Sequence, residues 1–343
     1  MTAADSSAPE ILTRHLQALE AALRHAIGSD GTPLTSTARY VMGWEDERGA
    51  PIDAGGKRIR PALCLFAAEA FGGAIDDAMP GAVAVELVHN FSLVHDEVQD
   101  HDAERHHRPT VWARMGEGQA INAGDFLYTR ALRSLTGGAG DTSRRMRALA
   151  VLNNAIERMI QGQWEDISFE LRDQVTVDEY LGMVAGKTGA LLSAPLEMGA
   201  ILAGATDSEA AALGTWGEHV GAAFQAQDDY LGIWGDPDQT GKSNKNDIAR
   251  RKKTLPIVHG TMQPAAASII QRVYSEASVS EAGVAQVVQA LDAAGSGEYC
   301  RDRARSQVQQ ADALLETLPF LSDTPGLRDK FRTIAAYLVE RQA

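Results

Sequence analysis

Cysteine is nearly missing from this chain. Of 343 residues only Cys64 and Cys300 are thiols, which excludes a disulfide framework and a metal site built on cysteine. Basic charge is also short: 32 Lys and Arg stand against 46 Asp and Glu, a net charge of −14. That balance argues against a nucleic-acid partner held by backbone electrostatics. No apolar run approaches the roughly 20 residues that cross a bilayer, so no membrane span is expected. The opening MTAADSSAPEILTRHLQ lacks a basic stretch followed by an apolar core, so no secretory signal is expected and the chain reads as cytoplasmic. Alternating strand-like stretches bounded by hairpin turns are absent, which disfavours a sheet-based nucleotide-binding fold. A Ser/Gly- or Pro-rich linker and a solenoid-type repeat are absent as well. With 44% hydrophobic and 23% charged residues, the chain has enough apolar material to fold. The expectation is one all-α domain over residues 1–343, with residues 1–8 loose.

What the sequence does contain is helical periodicity. Ile11, Leu12, Leu16, Leu19, Leu23 and Ile27 recur at helical steps, as one apolar face would. The same spacing predicts helices over Arg58–Phe71, Ala82–Asp100, Gln119–Leu135, Arg144–Leu171, Val177–Ala203, Ser208–Trp234, Val284–Leu291 and Gln307–Leu318. Thr176 with Glu179 and Ser278 with Glu281 have capping-box spacing, and Thr324 before Pro325 reads as a cap with a first-turn proline. Breaks are expected at Gly72-Gly73, Thr136–Asp141 and Gly235-Asp236-Pro237.

Three clusters could carry chemistry. In HDEVQDHDAERHHRPT, Asp96 and Asp100 lie four apart, hence on one helix face a turn from each other. Their repulsion is relieved by solvent or by a cation. Hard divalent ions take carboxylate oxygens, and magnesium keeps waters and shares phosphates. Glu97 points about 100° away, as a second ligand, a water holder or a solvated acid. The second cluster, Gln225 to Pro256, brings Asp228 and Asp229 out of the apolar Ala222-Ala223-Phe224 run and adds Lys242 and the basic run Arg250–Lys253. Buried charge without compensation is costly, so a metal-and-phosphate site and a polar helix end are the two readings. The third, GGKRIRP from Gly55 to Pro61, places Lys57, Arg58 and Arg60 near a helix start, where amides and the dipole attract anions. A solubilising basic knot is the alternative. Other likenesses fail. Gly235 to Ser243 is misspaced for a P-loop and follows no strand. His106 and His107 have no zinc-type arrangement with cysteines.

Taken together, GGKRIRP, the His95-Asp96-acid cluster with Arg105 and RPT behind it, Lys187-Thr188, Phe224 to Asp229, and Thr240-Gly241-Lys242 resemble the all-trans isoprenyl diphosphate synthase family. Order and approximate spacing match from Gly55 to Pro256. The resemblance implies an all-α isoprenoid-synthase-type bundle with two aspartate-rich motifs facing one another across a deep central pocket, normally in a homodimer. It implies Mg2+ on Asp96, Asp100, Asp228 and Asp229, with Lys187 in the catalytic set. Lys57, Arg60 and His89 match positions that hold isopentenyl diphosphate. Arg105, Lys187, Thr188, Gln225, Lys242 and Lys252 match positions around the allylic diphosphate. Phe91, five residues before Asp96, resembles a floor that limits the product to farnesyl or geranylgeranyl length; a core-packing role is the alternative.

The chain departs from the family pattern at three places. Glu97 stands where a second Asp is usual, His106 follows Arg105 where a second arginine normally grips isopentenyl diphosphate, and Gly232 replaces a third Asp. The leading expectation is a magnesium-dependent condensation of an allylic diphosphate with isopentenyl diphosphate. A lyase that ionises a prenyl diphosphate without condensation is motivated by His106, and a weakly active partner subunit is the third reading.

Overall fold

A computed structural model of the chain describes residues 8–235, 246–321 and 324–339. Of the expectations above, Lys242, Gly241, Asp236 and residues 1–7 lie outside the described residues. The architecture is all-α: α1 (Glu10–Thr13), α2 (Leu16–Ile27), α3 (Pro33–Val41), α4 (Ile59–Ala70), α5 (Ile75–Gln99), α6 (Val111–Met115), α7 (Glu117–Gly137), α8 (Thr142–Glu170), α9 (Val177–Val184), α10 (Ala190–Ala203) and α11 (Asp207–Trp234). Shorter and longer helices follow at Asn246–Ala249, Leu255–Thr261, Pro264–Tyr274, Glu281–Ala293, Ser296–Glu316 and Leu327–Val339. Between α5 and α6, strands β1 (Glu104–Arg105) and β2 (Arg108–Pro109) form a small antiparallel ladder.

The chain divides into two compact units. The N-terminal unit holds Glu10–Asn154 and Ala194–Gly214; the C-terminal unit holds Met1–Pro9, Ala155–Ser193 and Thr215–Ala343. In the N-terminal unit α5 packs along α4 and α7. Val85, Glu86, Leu87 and Val88 are buried in succession, as in a helix that is a central element rather than a surface one. In the C-terminal unit, Tyr180, Met183 and Val184 of α9 pack with Ala223 and Ala226 of α11 and with Leu255 and Val258. A second cluster joins Ile233, Ile248, Ile257, Ile270 and Leu291. Each such buried aliphatic side chain contributes about 1.5–3 kcal/mol relative to exposure.

Local signals succeed and fail for identifiable reasons. The Thr176–Glu179 capping box forms, with both reciprocal hydrogen bonds. The cap expected at Ser278 belongs instead to Ser280, whose hydroxyl accepts from the Gly283 N–H, and the last helix starts at Leu327 rather than beside Thr324. The N-terminal helix breaks at Arg14 and His15, which both reach Glu69. α5 begins at Ile75, earlier than expected, and runs through Pro80 and Gly81; burial of Ala78 and Pro80 outweighs those local breakers. The expected single helix Val177–Ala203 is interrupted by a π turn, Ala185–Gly189, a feature frequent at functional sites.

Candidate functional site

In the N-terminal unit the basic knot sorts its cations by direction. Arg58 adopts a left-handed conformation (φ 50°) ahead of α4 and turns inward. Its guanidinium donates to Glu20 at 2.7 Å, to Glu86 at 2.8 Å and to the Met42 carbonyl at 3.0 Å. A buried charge held by two carboxylates and a carbonyl is a structural anchor. Lys57 stays exposed and Arg60 partly so. The Arg60 Nη1 lies 3.2 Å from His89 Nε2, so two of the three residues expected to hold isopentenyl diphosphate meet. Burial, and then the cations Arg60, Arg105 and Arg58, hold the His89 imidazole well below its usual pKa. The ring is therefore neutral near pH 7, and its Nε2 accepts from the guanidinium.

α5 places Asp96 and Asp100 a turn apart at its C-terminal end, where the Asp100 N–H donates to the Asp96 carbonyl at 2.8 Å. The negative end of the helix dipole adds to their mutual repulsion, so a cation there relieves two unfavourable interactions at once. Glu97 turns away and is 7% exposed. Burial pushes its carboxyl up to about 7, against the opposing pull of Arg105, whose Nε lies 3.8 Å away. Arg105 is brought back to α5 by the β1–β2 hairpin. His106 and His107 form its turn with φ of 50° and 59°, the conformation a two-residue hairpin loop demands. Phe91 is buried, its ring 4.8 Å from His95 and 5.4 Å from Tyr128 of α7. His95 lies against bare backbone at Gly124, where a Cβ would sit 2.3 Å from Nε2.

In the C-terminal unit, α8 and the π turn approach through two glycines. A Cβ on Gly162 would lie 2.3 Å from the Lys187 nitrogen, and one on Gly186 would lie 2.6 Å from the Arg158 carbonyl oxygen. One turn past Gly162, Asp166 forms an ion pair with Lys187. Thr188 donates to the Gln225 side-chain oxygen at 2.9 Å, and the Gln225 amide donates to Asp229 Oδ1 at 2.9 Å. Asp229 also accepts from the Leu255 backbone N–H at 2.8 Å and from the Tyr180 hydroxyl. Burial pushes the Asp229 carboxyl up to about 7, although these hydrogen bonds oppose it. Asp228 and Lys252 are partly buried, and the Lys252 N–H donates to the Asp247 carbonyl at 2.9 Å.

The structure thus brings together Arg60 with His89, and Lys187, Thr188, Gln225 and Asp229 into one run. It adds Asp166 and Tyr180, which the sequence reading missed. Asp166 sits 21 residues from its cation, beyond any local spacing rule, and Tyr180 reads as an ordinary core aromatic until its buried hydroxyl is asked for a partner. Carboxylates at helix ends are hard oxygen donors of the kind magnesium takes. Among the described residues no three His, Cys, Asp or Glu side chains gather as an ion cage. Magnesium is commonly held by one or two carboxylates plus substrate phosphate and water. Among the described residues no helix is long and apolar enough to cross a membrane.

Comparison with known proteins identifies relatives over most of the chain. The polyprenyl synthetase family profile matches residues 49–291. The chain is 42% identical over 311 residues to the (2E,6E)-farnesyl diphosphate synthase of Mycobacterium tuberculosis, covering 89% of this chain and 85% of that one. It is likewise 42% identical over 296 residues to the geranylgeranyl diphosphate synthase of that organism, covering 85% and 84%. The crystal structure of a polyprenyl synthetase from Streptomyces coelicolor superposes with a TM-score of 0.88 at 40% identity, covering 96% of this chain and 98% of that one.

Proposed function

Because the chain belongs to the polyprenyl synthetase family, we propose that it is a short-chain trans-prenyltransferase that condenses an allylic diphosphate with isopentenyl diphosphate. The observation that carries this reading is the acidic end of α5, with Asp96 and Asp100 a turn apart, in the unit that also holds the Arg60–His89 pair. The carboxylates that would hold magnesium are Asp96 and Asp100 at the end of α5 and, separately, Asp228 of α11; the chemistry the ion supplies when bound is charge neutralisation of the diphosphate as a Lewis acid.

The chain's own residues do the rest. Lys57, Arg60 and His89 hold isopentenyl diphosphate; neutral His89 orients the Arg60 fork rather than adding charge. By the family resemblance Arg105, Lys187, Thr188, Gln225, Lys242 and Lys252 are assigned to the allylic diphosphate, and Asp166 fixes the Lys187 ammonium. The allylic C–O bond breaks and its electron pair leaves with the diphosphate. The isopentenyl double bond then forms the new C–C bond, and the proton lost from the adduct goes to the released diphosphate. Apolar lining must exclude water from the allylic cation. Phe91, braced by His95 and Tyr128, serves as the floor that keeps products between farnesyl and geranylgeranyl length, the range spanned by the two relatives named above.

The decisive assay supplies purified protein and magnesium with dimethylallyl, geranyl or farnesyl diphosphate, with and without isopentenyl diphosphate, and reads products by mass spectrometry. Longer diphosphates only when both substrates are present are expected. Hydrocarbon or alcohol from the allylic substrate alone would replace this reading with that of a lyase.

The working unit we propose is a homodimer. Ile160, Trp164 and Ile167 lie at helical spacing along the end of α8 and Leu171 just past it, and they are 54%, 73%, 38% and 90% exposed. So large an apolar stripe marks an interaction surface, and a symmetric dimer covers two copies of it at once. Trp164→Glu should yield monomers by light scattering; an unchanged mass would remove this face from the interface.

A further inference from the structure

The neighbours Asp228 and Asp229 near the end of α11 have different surroundings. Asp229 is 5% exposed, and both of its oxygens are engaged. Oδ1 accepts from Gln225 at 2.9 Å, and Oδ2 accepts from the Leu255 N–H at 2.8 Å and from the Tyr180 hydroxyl. An ion entering here would have to displace a donor that would then be buried without a partner. Asp228 is partly exposed.

The bonds made by Asp229 all lead to residues assigned to the allylic diphosphate. Because the carboxylate only accepts, the Gln225 amide must present its NH2 group to it, which turns Oε1 toward the Thr188 hydroxyl at 2.9 Å. The Leu255 N–H opens the helix Leu255–Thr261, whose N-cap residue Thr254 makes no side-chain capping bond. Asp229 supplies that missing acceptor from another helix, and so fixes the end of the segment carrying Lys252. Tyr180, on α9, ties the carboxylate to the element that leads directly into the π turn with Lys187 and Thr188.

We infer that the two aspartates divide their work: Asp228 is the metal-facing ligand, while Asp229 and Tyr180 are positioning residues that set Gln225, Thr188 and the Lys252 segment for the allylic diphosphate. This rests on the prenyltransferase reading and refines it.

The test compares full-length Asp228→Asn, Asp229→Asn and Tyr180→Phe with the unsubstituted protein. Binding of Mn2+ in the presence of inorganic pyrophosphate is read by electron paramagnetic resonance, and steady-state constants are measured alongside. Asp228→Asn should weaken manganese binding about tenfold or more. Tyr180→Phe, which keeps the ring and its volume, should leave manganese affinity within about twofold and raise KM for the allylic diphosphate about tenfold, the loss of one hydrogen bond to a charged group. Its KM for isopentenyl diphosphate should not move. Asp229→Asn should follow Tyr180→Phe in both readouts. The assignment is overturned if Tyr180→Phe or Asp229→Asn loses manganese as far as Asp228→Asn does, if Asp228→Asn binds manganese normally, or if the allylic KM of Tyr180→Phe is unchanged. Absence of isopentenyl-dependent elongation in the unsubstituted protein would instead overturn the parent reading, and the manganese comparison would still decide between the two aspartates.

Discussion

The end of α5 carries Asp96, Glu97 and Asp100, and the last turns of α11 carry Asp228 and Asp229; each set turns one carboxyl into the protein. Glu97 and Asp229 are both buried, and burial pushes both up to about 7. Their partners differ. Glu97 faces the cation Arg105 at 3.8 Å, whereas Asp229 is met by three neutral donors in direct hydrogen bonds. An ion pair tolerates imprecise geometry and answers to charge, while a set of dipoles answers to which atoms accept. Two acidic motifs that look alike as text are therefore built on different physics, and substitutions that remove charge but keep shape should separate them.

The largest expected difference is catalytic. Removing the charge of Asp96, the carboxylate proposed to face the reacting diphosphate, by Asp96→Asn should lower kcat by about 10²–10³. Glu97→Gln should cost no more than about tenfold, since its loss acts only through Arg105. Comparable losses in the two variants would erase the distinction between outward and inward carboxyls on α5.

A smaller difference lies in stability against pH. A Glu97 carboxyl near 7 in the folded protein, against 4.5 ordinarily, keeps its proton where the unfolded chain has lost it. Stability from this group is therefore lost as pH rises from about 4.5 to 7, by about 3 kcal/mol in full. Glu97→Gln should flatten the fall of Tm between pH 5 and 8 and raise Tm at pH 8. Asp229→Asn should flatten that fall too, because burial raises its carboxyl from 3.8 to about 7, yet it should lower Tm at every pH, because it sets an amide nitrogen among donors that have no second acceptor to offer. Thermal melts at several pH values check both, and a rise of Tm at pH 8 in both variants would mean that the two buried carboxyls are held in the same way.

Much of the fold was legible because helical periodicity is a local signal: the extents of α4, α7, α8 and α11 follow from apolar spacing and flanking Gly or Pro. The candidate site was legible as residue types in order, yet not as partners. Arg58, Lys57 and Arg60 are near neighbours in sequence, and only the left-handed turn at Arg58 decides that one goes inward. The π turn at Lys187 follows from packing at Gly162 and Gly186, two glycines whose meeting no spacing announces. Asp166 and Tyr180 escaped for the same reason: an ion pair and a buried hydroxyl are tertiary facts, set by which helices touch.

The hairpin at His106 offers the finest test, because it opposes a local cost to a functional gain. His106 sits at φ 50°, a conformation that histidine adopts more readily than most side chains with a Cβ. An arginine there meets roughly 1 kcal/mol of backbone strain, so His106→Arg should lower Tm slightly. If the family's second arginine grips isopentenyl diphosphate from this turn, the same substitution restores a guanidinium, which is charged at every working pH. The apparent KM for isopentenyl diphosphate should then fall about threefold, the gain of a charge-assisted hydrogen bond reduced by solvent at an exposed loop. The KM for the allylic substrate should stay put. An unchanged or higher isopentenyl KM, with the small loss of Tm still present, would show that the turn conformation governs residue 106 and that the grip on isopentenyl diphosphate rests on Lys57, Arg60 and His89 alone.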